Sequence, residues 1–158
     1  MRSLVYILCG IALILPLFAD QPTIKPDHSF TLISVSNPGC AIAEVDSLCL
    51  VAAQGEVQPL RLKIVQGNGN PKCVSLESEA YPGYFLRHQD SRLKLHPYAE
   101  NDWVFAGDST FYLVHNQDGT VSFQSYNFPQ QYISVTASKK LYIATDPPLP
   151  GRSFVLGP

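Results

Sequence analysis

The densest set of side chains able to do chemistry lies mid-chain, in Tyr81-Pro82-Gly83-Tyr84-Phe85-Leu86-Arg87-His88, followed by Asp108-Ser109-Thr110-Phe111. If the first stretch is a strand, alternation puts Leu86 and His88 on one face and Phe85 and Arg87 on the other. An imidazole ending that strand and a carboxylate beginning another element can share a small concave site. A carboxylate that accepts two sugar hydroxyls, beside an aromatic wall, is what recognition of one furanose ring requires. Charge-assisted hydrogen bonds supply the orientation that apolar area alone lacks. Each residue also has an ordinary role. Phe85 and Leu86 fit a core, Arg87 a surface pair with Glu77, His88 a solvent-facing strand end, and Asp108 a turn cap through Ser109-Thr110. Trp103 fits a plug beneath its loop as well as a stacking platform, and His28, His96 and His115 read as surface.

The elements that must hold these groups repeat three times. Stretches 30–65, 74–114 and 121–156 start 44 and 47 residues apart, and each opens on an alternating strand. Ser34, Ser78 and Ser125 share one repeat position, and Pro38, Pro82 and Pro129 follow four residues later inside a turn. A second strand lies around Ile42, Phe85-Leu86 and Tyr132-Ile133. Hairpin turns follow near Asp46-Ser47, Asp90-Ser91 and Ala137-Ser138, and the third strands carry Cys49 and Val51, Leu93 and Leu95, or Leu141 and Ile143. The fourth strands begin near Leu60, Phe111 and Phe154. One such unit cannot cover its own apolar face, whereas three around a pseudo-threefold axis close a barrel with a hairpin cap. The fold class predicted is all-β, a β-trefoil of three four-stranded repeats, with a generic sandwich of compositionally similar strands as the alternative. Gly67-Asn68-Gly69-Asn70-Pro71 reads as a flexible turn between repeats, and the loop from Pro97 to Gly107 carries no readable pattern.

With Ser75 to Ser78, Tyr81 to His88 and Asp108 to Phe111 in one frame, the chain resembles the arabinose-binding module of α-L-arabinofuranosidases, a β-trefoil classed as carbohydrate-binding module family 42. The family's repeat reads roughly S-F-x-S-x-N-Y-P-G-x-Y-L-R-H, then D-x-T-F, and only the middle repeat here carries the full motif. The resemblance implies binding of arabinofuranose side chains of polysaccharides, with the pocket histidine at His88, the sugar-binding aspartate at Asp108, and the motif's aromatics at Tyr81 and Tyr84. The other repeats depart from it. Ala43-Glu44 and Pro59 replace Arg-His and Asp in the first, and Ser134-Val135 and Gly151 replace them in the third. One competent pocket is therefore expected, without the avidity of several.

Composition limits the alternatives. With 15% charged residues and a formal charge of −2, the 158-residue chain has no basic field for nucleic acid. Met1-Arg2, the apolar run Leu4 to Leu15, and Ala19 before Asp20 follow the order of a secretory signal peptide cleaved after Ala19, which predicts a secreted single domain over 20–158. No membrane contact is expected after cleavage, and the domain is expected to be monomeric. Cys9 would leave with the signal. In an oxidising compartment the remaining Cys40, Cys49 and Cys73 allow one disulfide, and the nine-residue spacing favours Cys40–Cys49. No metal-ligand spacing, cofactor loop or nucleophile elbow is present, so no cofactor and no metal are expected. Glycoside hydrolysis needs two carboxylates at a set separation, which the resemblance assigns to a separate domain. The expected function is a secreted, non-catalytic carbohydrate-binding module for arabinose-containing polysaccharide or glycan. The alternatives are a trefoil that lost its sugar and acts as a protein-binding or inhibitory module, and an α-L-arabinofuranosidase of L-arabinose metabolism.

Overall fold

Short runs rich in β-branched and aromatic residues, each ended by Gly, Pro, Asp or Ser, become twelve strands in a computed structural model that describes residues 28–158. The expected leader over 1–19, with Cys9, lies outside the described residues. The first repeat holds β1 (Ser29–Ser34), β2 (Cys40–Val45), β3 (Leu48–Ala53) and β4 (Leu62–Gln66). The second holds β5 (Val74–Ser78), β6 (Tyr84–Gln89), β7 (Arg92–Pro97), a short helix α1 (Trp103–Asp108) and β8 (Phe111–His115). The third holds β9 (Val121–Ser125), β10 (Gln131–Val135), β11 (Leu141–Thr145), α2 (Leu149–Arg152) and β12 (Phe154–Gly157).

The sheet is antiparallel and closes on itself, because β1–β4, β4–β5, β5–β8, β8–β9, β9–β12 and β12–β1 all pair. The hairpins β2–β3, β6–β7 and β10–β11 interlock in a cycle. The Ser47 carbonyl accepts from Leu95 N–H at 2.9 Å, Ser91 from Ile143 at 2.8 Å, and Lys139 from Val51 at 2.9 Å. The all-β, closed-barrel reading of the sequence therefore holds. Leu32, Ile42, Val51, Leu62, Leu76, Leu86, Phe111, Phe123, Ile133, Leu141 and Phe154, drawn from all three repeats, are fully buried in one core. Each contributes about 1.5–3 kcal/mol by leaving water.

The recurring serine and proline have a common physical cause. Ser34, Ser78 and Ser125 are buried, and each Oγ accepts the backbone N–H three residues on, from Asn37, Tyr81 and Phe128, at 3.2 Å every time. The carbonyls of those three residues then accept from Cys40, Tyr84 and Gln131, closing the turn that Pro38, Pro82 or Pro129 begins. Asp46-Ser47 and Asp90-Ser91 adopt left-handed backbone at φ 52°, 66°, 52° and 63°, as tight hairpin turns demand. In the third hairpin the left-handed residue is Lys139, one position beyond the predicted Ala137-Ser138 turn.

The predicted Cys40–Cys49 disulfide is absent, and Cys40, Cys49 and Cys73 are buried free thiols. In the β2–β3 register Cys40 faces Ala53 while Cys49 faces Glu44. The two are thus four positions apart along the hairpin, roughly 13 Å at ~3.3 Å per residue. A disulfide needs a Cα separation of about 4.4–6.8 Å. Sequence spacing fitted a hairpin, but the turn at Asp46-Ser47 is not midway between the cysteines. Burial also pushes the Cys49 thiol up to about 12. An Ellman titration should find these thiols inert in the native protein and all three reactive in unreduced guanidinium. Two that stay silent in denaturant would restore the disulfide.

Candidate functional site

Alternation alone does not describe β6, because both of its faces are covered and Phe85, Leu86, Arg87 and His88 are all buried. Leu86 enters the barrel core, while α1 packs on the strand and brings the Phe105 ring 5.0 Å beneath the Arg87 guanidinium. Asp102 starts α1 by accepting the N–H groups of Val104 and Phe105 at 3.0 Å, the usual cap for orphan donors. The far end is tied by Thr110 Oγ1, which donates to the Ala106 carbonyl at 2.7 Å and accepts from Gly69 N–H at 2.8 Å. The Gly67 to Pro71 turn, read from sequence as flexible, is therefore packed under α1. A Cβ on Gly69 would lie 2.9 Å from the Ala106 carbonyl oxygen, so glycine is required for that approach. The last residue of this anchored helix is Asp108.

Asp108 and His88 converge. His88 Nδ1 lies 3.6 Å from Asp108 Oδ1, and the two side chains are 4% and 9% exposed. Arg87 donates to Asp108 Oδ2 at 2.6 Å, so it pairs with the site carboxylate and not with Glu77, which instead accepts from Gly83 N–H. Asp108 is thus the anchor of a buried ion pair, not the turn cap that its neighbours Ser109-Thr110 suggested. Asn127, from the third repeat, bridges the pair by donating through Nδ2 to Asp108 Oδ1 at 2.8 Å. A carboxylate only accepts, so this contact fixes the amide, and Asn127 Oδ1 must receive the proton of His88 Nε2 at 2.9 Å. Neutral His88 then carries its proton on Nε2 and leaves Nδ1 as an acceptor. The remaining lone pairs of Asp108 and His88 Nδ1 make an acceptor-rich floor suited to hydroxyl donors.

The wall is also supplied by the third repeat. Phe128 is 50% exposed, and its ring stands edge-on to His88 with centroids 5.5 Å apart. A cavity of about 420 Å³ opens here, lined by Arg87, His88, Asp108, Val104, Phe128 and Gln131 among others, with Asp90 at its rim. Tyr81 and Tyr84 do not line it. They pack on each other at 5.7 Å and, by repeat register, stand where Phe128 and Gln131 stand one repeat later. The site lies at a junction between repeats, so its aromatic wall comes from the repeat after the one that holds the imidazole and acid. Asn127 and Phe128 were missed for this reason. A signal is present: Asn127-Phe128-Pro129 matches the Asn-aromatic-Pro of the family repeat, whereas the middle repeat, read as carrying the full motif, departs from it with Ala80 at the asparagine position. Trp103 is 83% exposed, so it is no plug beneath its loop.

The positions equivalent to Arg87 and Asp108 in the sister repeats stay adjacent but carry no charge. Ser134 Oγ donates to the Gly151 carbonyl at 3.3 Å where Arg87 meets Asp108, and Ala43 bridges to Pro59 through backbone alone. Among the described residues, no group of three His, Cys, Asp or Glu is arranged to hold a metal ion.

Burial pushes the His88 imidazole below its ordinary 6.5, with Arg87 adding to the effect and Asp108 and Asn127 opposing it. His96 is lowered as well, by burial first and by Arg87 and Lys94. A lowered histidine means that the unfolded chain binds protons the native state refuses. Stability is then complete above about pH 6.5 and is lost as pH falls from there toward the lowered values. Urea midpoints measured between pH 7.5 and 5 should fall, and His88→Gln should flatten that slope without abolishing it, leaving the share of His96. An unchanged slope in the variant would contradict a neutral, buried His88.

A family model described as Alpha-L-arabinofuranosidase B (ABFB) domain matches residues 43–147. No curated protein matches the sequence. Among solved structures, an arabinofuranosidase complexed with arabinofuranosyl-alpha-1,2-xylobiose is similar with a TM-score of 0.74 at 20% identity, over 87% of this chain and 32% of that one. A GH43 beta-1,3-galactosidase gives a TM-score of 0.67 at 17% identity, over 86% of this chain and 28% of its own. The designed 3-fold symmetric protein ThreeFoil gives 0.66 at 10% identity, over 82% and 98%. At these identities the likeness is one of fold. The chain spans about a third of the arabinofuranosidase it resembles.

Proposed function

Because the chain belongs to the Alpha-L-arabinofuranosidase B (ABFB) domain family, we propose that it is an exported carbohydrate-binding module for terminal arabinofuranose on a polysaccharide or glycan. We read its closed barrel and three interlocked hairpins as a β-trefoil with one sugar site, at the junction of the second and third repeats. The observation that carries the proposal is the convergence of His88 and Asp108, bridged from behind by Asn127, on a cavity walled by Phe128. Acceptors at fixed separation select a polyol by its hydroxyls, while the Phe128 ring receives an apolar sugar face.

One ring-sized contact supports only about −4 to −5 kcal/mol, a Kd around millimolar. Affinity electrophoresis should therefore show retardation in gels containing arabinose-decorated polysaccharide and release by soluble arabinofuranoside. Migration unaffected by the polysaccharide would overturn the reading. Both Asp108 oxygens are already held, one by Arg87 and one by Asn127, which suits a recognition group better than a nucleophile. No release of nitrophenol from an aryl arabinofuranoside is expected. A second reading, a secreted trefoil that binds protein, is favoured by the same saturation of the site's polar atoms. A blank glycan array would favour it over the first.

A further inference from the structure

We infer that the site continues past Phe128 into a second subsite for the glycosyl residue linked to the terminal sugar, an inference that rests on the function proposed above. A second depression of about 260 Å³ lies beside the first, lined by Asn127, Phe128, Pro129, Gln130, Gln131 and Thr145. Phe128 and Gln131 line both, so the half-exposed ring is a partition between two adjoining hollows and not the outer edge of one.

The backbone beneath the partition is fixed. Phe128 N–H donates to Ser125 Oγ, its carbonyl accepts from Gln131 N–H at 2.8 Å, and Gln124 Nε2 donates to the Pro129 carbonyl. The backbone that carries the ring therefore has little freedom left to lose when a ligand arrives. The polar groups of the two hollows differ in a way that suits a divided ligand. In the first, Asp108 and His88 are held by Arg87 and Asn127 and give acceptors of fixed direction. In the second, among the described residues, none of Gln130, Gln131 and Thr145 makes a side-chain hydrogen bond within the protein, so two amides and a hydroxyl offer both donors and acceptors. Gln131 and Thr145 sit opposite each other in the β10–β11 register, on strands that hold them at one place. A neutral pyranose or furanose unit fits such a set, since it too carries hydroxyls that donate and accept. The glycosidic bond would cross at Phe128, with carbon-bound hydrogens of the sugars against the ring.

Calorimetric titration of the whole protein with methyl α-L-arabinofuranoside and with α-1,5-linked arabinobiose tests this. The disaccharide should bind at least about fivefold more tightly, the equivalent of one net hydrogen bond. The Gln130→Ala/Thr145→Ala double variant, altered only at exposed positions, should bring that ratio down toward one. Equal affinities in the unmodified protein would overturn the second subsite and leave the first standing. Binding of neither ligand would overturn both, and an unchanged ratio in the double variant would overturn the assignment of these residues.

Discussion

Replacing Asp108 by alanine is expected to lower folding stability by about 3–5 kcal/mol, because it strands the buried Arg87 guanidinium without its counter-charge. Arg87 is buried between β6 and Phe105, its Nη2 donates to Asp108, and the same carboxylate receives Asn127 Nδ2. For a domain of ordinary stability, about 5–15 kcal/mol, this is a large share. In thermal unfolding it corresponds to roughly 10–20 °C of midpoint. Replacing Arg87 by methionine in the same protein should recover part of the loss, since an apolar pair of similar volume removes the stranded charge. A drop below about 1 kcal/mol for Asp108→Ala would show that the ion pair is not closed in solution. Gly151→Ala, at the matching position of the third repeat, should do little: its new Cβ meets Ser134 Oγ at an ordinary 3.5 Å.

Sugar retention by an Asp108 variant therefore mixes binding with folding, and Phe128→Ala separates them. Phe128 is half exposed, and its backbone turn is held by Ser125 and Gln131 whatever the side chain, so stability should change by no more than about 1 kcal/mol. Affinity for a methyl arabinofuranoside should fall about tenfold. Covering some 60 Å² of ring and sugar face at ~25 cal/mol per Å² is worth ~1.5 kcal/mol. Unaltered affinity in a normally folded Phe128→Ala protein would remove the aromatic wall from the account. Tyr81→Ala serves as the contrast, and at the neighbouring junction it should leave that affinity alone.

The repeats were legible because they are local. Alternating strands, a serine three residues before a bonded N–H, and a proline-led turn all express themselves within ten residues. His88 and Asp108 were legible as candidates for the same reason, each within its own motif. What joins them was not. The helix α1 is six residues long, opens on Trp103-Val104-Phe105, and is too short for helical periodicity to show, yet it covers Arg87 and delivers Asp108. With the outer face of β6 covered, alternation ceased to separate inside from outside, and Arg87 became the partner of the site carboxylate. A site that draws on two repeats at once leaves no mark within either. The motif places Tyr81 and Tyr84 in the pocket of their own repeat, whereas Asn127 and Phe128 stand beside His88 and Asp108 as bridge and wall. The cysteines show the same limit: nine residues fit a hairpin, but the register set by Asp46-Ser47 separates Cys40 from Cys49.

Side-chain amide and backbone resonances followed during a titration with methyl α-L-arabinofuranoside would locate the ligand most directly. Saturating shifts of the Asn127 Nδ2 amide, with the Phe128 and His88 backbone N–H and none at Ser134 or Gly151, are the pattern that a single inter-repeat sugar cup requires. A spectrum that stays still at Asn127, or moves first around Tyr81 and Tyr84, would contradict it.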